Sequence, residues 1–221
     1  MKIAAASLLA LSALTTACVN SSALQTAKAM DPGKQRFLVG GGYYASPDLD
    51  KDASSATGED TSLKLPYMEL GYRRGLVDKV EAGVKYTLPG TAAIDGKYQF
   101  LDAGGFALAA GASVGYFKLS SEAGDSSSST TVVDTIVPVY ASYDIAKALA
   151  VYTSPKYVMR YAKSESMDAM MSESSSGLSH LVGATLGTRL GNRFGLFLET
   201  TYLKSITNDF DAFQVNGSFF F

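Results

Sequence analysis

Tryptophan is absent from this chain of 221 residues, and histidine and cysteine occur once each. One cysteine cannot close an internal disulfide, so no covalent staple holds the fold. With one imidazole and one thiol, a metal site has to be built from carboxylates, and a Ser–His hydrolytic pair has His180 alone to draw on. Charge of one sign is missing too: 19 Lys and Arg stand against 21 Asp and Glu, and the pI is near 5.4. Without a basic footprint, nucleic acid is not an expected partner, and no residue pattern calls for a cofactor. After Leu14 there is no apolar run of about 18 residues, which excludes a helical membrane protein.

What is plentiful is Gly (21), Tyr (13) and Phe (11), spread along alternating segments. Lys2 followed by the apolar stretch Ile3 to Leu14 and the small residues Thr15, Thr16 and Ala17 has the layout of a secretory signal. Leu14, Thr15, Thr16, Ala17 and Cys18 together resemble a bacterial lipoprotein box, which implies lipidation of Cys18 after removal of residues 1–17. The box normally has Leu three positions before Cys, where this chain has Thr15. Ordinary cleavage near Ser21, Ser22 and Ala23, leaving no lipid, is the alternative. Residues 18–35, rich in Ser, Ala, Thr and Lys, then form a lipidated N-terminus and flexible tether, and 36–221 the folded domain.

Period-two runs bounded by turn residues predict about ten strands. They are Arg36 to Ser46, Leu63 to Arg73, Val80 to Leu88, Ile94 to Leu101, Phe106 to Leu119, Val132 to Tyr143, Leu149 to Ala162, Leu178 to Leu190, Phe194 to Leu203 and Phe210 to Phe221. Pro66, Pro138 and Pro155 fall inside these runs; they predict local bulges, or strand ends that lower the count to eight. Connections alternate between short turns and longer polar loops, including 47–62, 120–131 and 163–177.

The last run is the most informative. Phe213, Val215, Gly217, Phe219 and Phe221 alternate with Gln214, Asn216 and Ser218, and the chain ends on an aromatic. This resembles the closing strand of small bacterial outer-membrane β-barrel proteins. The resemblance implies a transmembrane up-and-down antiparallel barrel, in membrane lipid, with Phe219 and Phe221 part of the signal read by the outer-membrane assembly machinery. Short periplasmic turns then put both termini in the periplasm, with the Cys18 lipid in the inner leaflet.

Parity places Glu69, Arg73, Glu81, Lys85, Lys97, Asp134, Arg160, Arg189 and Glu199 on the inward face, together with Asp95 and Lys156. Acids and bases nearly balance, which predicts cross-strand ion pairs and a side-chain-filled lumen rather than a wide channel. Ser179 and His180 point to opposite faces and cannot pair as nucleophile and base, so no catalytic residue is assigned. The acids Asp48, Asp50, Asp52, Glu59 and Asp60 lack the spacing of an EF-hand, and Met167, Met170 and Met171 read as surface residues; no metal site is assigned. The expectation is a non-enzymatic barrel with a structural or surface-interaction role. A narrow pore for small polar solutes is the alternative, and a lipid-directed hydrolase stands behind both. Outward Ala110 and Ala112 leave a homo-oligomer open.

Overall fold

A computed structural model describes residues 21–46, 63–88, 90–123, 126–168, 171–207 and 211–221. Cys18, Met170 and the acids Asp48, Asp50, Asp52, Glu59 and Asp60 lie outside these residues. Ten strands follow in chain order: β1 (Gln35–Ser46), β2 (Leu63–Val77), β3 (Val80–Leu88), β4 (Thr91–Ala103), β5 (Phe106–Ala123), β6 (Ser126–Ala146), β7 (Leu149–Asp168), β8 (Met171–Gly191), β9 (Gly195–Ser205) and β10 (Asp211–Phe220). Each pairs antiparallel with its sequence neighbour, and β1 pairs with β10, so the sheet closes on itself with no free side along its circumference. Phe37 and Phe221 complete the seam through two backbone hydrogen bonds, and their rings stack with centroids 5.9 Å apart.

One mouth of the barrel carries only short connections. Gly104 and Gly105 both have positive φ (58° and 93°), the backbone of a type I′ turn that matches the twist of its flanking strands. At the other mouth β5 to β8 run on well past their neighbours. Residues 120–131 and 163–177, expected as loops, are instead mostly strand: Ser120 pairs with Ser129, and Lys163 with Ser176. Both faces of this extension are polar, so the hydrophobic alternation that reveals a strand fades while the backbone ladder continues. The prolines also behave differently from expectation. Register shifts fall at Gly75/Val77, Gln99/Leu101 and Asp144/Ala146, near the short-turn mouth. At Pro138 and Pro155 the ladder keeps the same register on either side, Pro138 opposite Lys156 and Ala141 opposite Thr153. A missing N–H removes a hydrogen bond without inserting a residue.

Away from the register shifts, the wall sorts its side chains by parity. Ile94 is 63% and Leu186 60% exposed, whereas Glu69 and Glu81 are each 2% exposed. Val39, Leu70, Val84, Val114, Leu198 and Val215 continue the outward apolar band; Tyr43, Tyr86, Phe106, Tyr143 and Phe219 lie outward closer to strand ends. An apolar exterior of this extent is far beyond the few hundred Å² that soluble monomers tolerate, and it fits hydrocarbon.

The largest departure from expectation is the segment before β1. Residues 21–34 are not a tether outside the barrel. They enter the lumen, with Ser21, Ser22, Leu24, Gln25, Thr26 and Ala27 buried, and leave by the short-turn mouth at Pro32 and Gly33. Gly75 makes that exit available, because a Cβ there would strike the carbonyl oxygens of Met30 and Asp31.

Candidate functional site

The lumen is built in layers from the inward residues of every strand. Nearest the short-turn mouth, Leu38, Tyr152, Phe197 and Phe220 form an apolar pocket around the side chain of Leu24. Arg36 lies over the Phe220 ring at 5.0 Å and the Phe197 ring at 5.7 Å, capping the pocket with a cation. Towards the other mouth, Tyr44, Val158, Leu181, Leu203 and Ala212 make a second apolar cluster, with Ile136 packed on it. Charged groups and the N-terminal segment occupy the space between the two.

Glu199 anchors the segment. Leu24 has φ of 43°, a left-handed turn that aims two successive N–H groups the same way. Ala23 donates to Oε1 and Leu24 to Oε2 of Glu199, each at 2.9 Å, while Asn216 and the Tyr152 hydroxyl donate to the same two oxygens. Four donors make this buried carboxylate a satisfied one. Three lysines meet the segment's carbonyls: Lys156 Nζ reaches Ser21 at 2.5 Å, Lys85 reaches Ser22 at 3.0 Å and Lys97 reaches Thr26 at 2.6 Å.

The remaining wall charges interlock with this scheme. Arg73 donates to Glu81 at 2.9 Å and forks onto both oxygens of Asp95 at 2.6 and 3.0 Å. Gly83 leaves room for that fork, since a Cβ there would stand 2.8 Å from Arg73 and from Asp95. Glu81 also accepts from Lys97 at 3.0 Å and from the backbone of Met30 at 3.0 Å. Glu69 accepts from the Ser22 hydroxyl at 2.7 Å and faces Lys85 at 3.9 Å. Asp134 and Arg160 form a separate two-bond pair at 2.9 and 3.2 Å. Arg189 lies near the short-turn mouth, 3.2 Å from Asp144. Thus all nine lumen charges named from parity face inward, but several are matched by peptide groups of the segment rather than by one another. Between the segment and the wall, beside Glu69, Arg73, Lys85 and Lys156, lies a cavity of about 40 Å³, room for a few waters.

Phe219 and Phe221 point outward at the seam, 66% and 52% exposed. His180 is on the outer face as well, its Nδ1 2.5 Å from the Tyr157 hydroxyl and its ring stacked on that tyrosine, with Ser179 on the other side of the strand. Among the described residues no three His, Cys, Asp or Glu side chains converge as metal ligands. Beyond the apolar band, exposed Lys163 and Glu165 pair at 2.6 Å, and that hydrogen bond raises the pKa of the lysine and lowers that of the carboxylate. Sequence parity missed Arg36, which begins the first strand, and the segment itself. A signal for the latter did exist: Gly40, Gly42, Gly71, Gly83, Gly111 and Gly115 share the inward parity and bring no side chain to the lumen.

A closed, even-stranded antiparallel barrel with apolar wall outside and charged lumen inside defines the class: a transmembrane β-barrel of outer-membrane type. No protein-family model matches the chain, and no curated protein matches it. Among solved structures it is similar to the translocator domain of the autotransporter NalP from Neisseria meningitidis, at TM-score 0.47 and 10% identity, covering 100% of this chain and 95% of that one. It is similar also to the outer-membrane protease OmpT from Escherichia coli (0.44, 12%, covering 88% and 97%) and to Neisserial surface protein A (0.41, 10%, covering 84% and 94%). At these values the likeness carries no argument about function.

Proposed function

We propose that this protein is a non-enzymatic, non-conducting barrel of the bacterial outer membrane. It presents the polar extension of β5 to β8 outside the cell as an interaction surface. The observation that carries this reading is the lumen: the segment 21–34 and two apolar layers occupy it, and the cavity between segment and wall beside Glu69, Arg73, Lys85 and Lys156 is about 40 Å³. The extension is rich in Ser and Thr, carries the exposed Lys163–Glu165 pair and stands on the side opposite the short turns, which by the usual topology face the periplasm. Phe219 and Phe221, outward at the end of the chain, serve as the contact for the assembly machinery.

Single-channel recording in planar bilayers tests the closed lumen. The intact chain gives no steady openings. Steady openings abolished by Glu81→Gln or Arg160→Met overturn this reading in favour of a narrow pore.

A further inference from the structure

The contacts that hold the N-terminal segment divide by chemistry. Its N–H groups go to wall acceptors: Ala23 and Leu24 to Glu199, Ala27 to Ser142, Ala29 to Gln99 and Met30 to Glu81. Its carbonyls go to wall lysines, Ser21 to Lys156, Ser22 to Lys85, and Thr26 and Lys28 to Lys97. These are main-chain groups, which every polypeptide offers. Side chains add less: Ser21 and Ser22 donate hydroxyls to Gln214 and Glu69, Gln25 donates to Tyr140, and Leu24 fills the apolar pocket. Ala27, wholly buried against Ala107, Ala109 and Tyr140, contributes mainly by being small.

The segment forms no strand of its own; apart from the two backbone bonds that Gly33 and Lys34 make with Gly75 at its exit, its hold on the wall is a series of single hydrogen bonds to side chains. A surface that satisfies peptide donors and acceptors along a segment, with one pocket for a side chain, is the general design of peptide recognition by main chain with local specificity. Here the design is turned inward and built from Glu and Lys.

We infer that the lumen is a peptide-binding site that reads the backbone, with residues 21–34 as its resident ligand. Its ligand class is a polypeptide of small residues that turns at one branched apolar residue. Such a peptide, entering by the short-turn mouth, takes the same place in trans once the resident segment is displaced. The inference rests on the closed-lumen reading above and adds that the closure is exchangeable.

The exposed turn at Pro32 and Gly33 gives access for the test. A specific protease sequence is inserted after Gly33 in the full chain, the folded barrel is cleaved in detergent, and binding is read by fluorescence anisotropy. The probes are three synthetic peptides: residues 21–34 as they stand; the same with Ser21, Ser22, Gln25, Thr26 and Lys28 reordered; and the native order N-methylated at Leu24 and Ala27. The native peptide exchanges with the cleaved segment, the reordered one binds within about threefold, and the methylated one binds at least about tenfold more weakly, as loss of one charge-assisted hydrogen bond demands. A reordered peptide more than tenfold weaker, or an unchanged methylated peptide, overturns the inference. Failure of the native peptide to exchange, in the cleaved chain and in a variant lacking residues 21–31 alike, overturns it too. Conductance of the uncleaved chain reports separately on the closed-lumen reading.

Discussion

The backbone nitrogen of Leu24 lies 2.9 Å from Oε2 of Glu199, across 175 residues of chain. This contact joins the start of the described chain to the ninth strand and makes the carboxylate part of the fold. Glu199→Gln keeps the shape but turns one acceptor into a donor facing N–H or O–H groups. The variant loses about 1 to 3 kcal/mol of stability, the cost of buried donors left unpaired. The urea midpoint of its heat-modifiable band on gels measures the loss, and Glu165→Gln, on the exposed extension, leaves the midpoint unchanged.

Leu24 contributes the segment's one large apolar side chain that is buried, at 3% exposed. Leu24→Ala removes about 2 kcal/mol or more of packing, which loosens the segment by roughly thirtyfold or more. The rate of trypsin cleavage after Lys28 in the folded barrel reports it. Gly75→Val raises the same rate by a different route, pushing the segment's exit away from the wall.

Arg160 and Asp134 lie among buried residues. Arg160→Met strands the carboxylate and costs about 3 to 5 kcal/mol; Arg160→Met with Asp134→Leu recovers most of that, because two apolar side chains replace a desolvated pair. Unfolding of the two variants in urea separates them.

With the short turns in the periplasm, as proposed, a lipid on Cys18 in the inner leaflet and the filled lumen exclude one another. Lys156, whose ammonium holds Ser21, stands seven residues into β7 from the short-turn mouth, a depth on the order of 15 Å once strand tilt is allowed for. Three residues reach about 10 Å. Preparations whose mature N-terminus has the mass of an acylated Cys18 therefore show residues 21–34 open to protease. Preparations cleaved nearer Ser21 show them protected.

Much of the wall was legible because a barrel obeys one rule: the side-chain period is two and the two faces meet different media. Val80 to Leu88 shows it plainly, with Val84 exposed and Glu81 buried. The rule loses its signal where both faces meet water, which is why 120–131 and 163–177 look like loops although they pair. It says nothing about residues 21–34, whose contacts run from main chain to side chain and leave no period in the sequence. Even the lumen charges misled in part: a balance of acids and bases suggests mutual ion pairs, yet Glu199 is matched by two peptide N–H groups, Asn216 and Tyr152, and Lys156 by a carbonyl. Peptide groups carry no formal charge, so a count of charges does not reveal them.

Thiol labelling of the folded barrel tests the internal segment most directly. In a Cys18→Ser background, single cysteines at Ala27, which is 0% exposed, and at the exposed Pro32 are treated with a maleimide in detergent. Ala27→Cys stays unlabelled until the barrel is unfolded, while Pro32→Cys reacts at once. Equal labelling of the two in the folded state contradicts a segment held in the lumen.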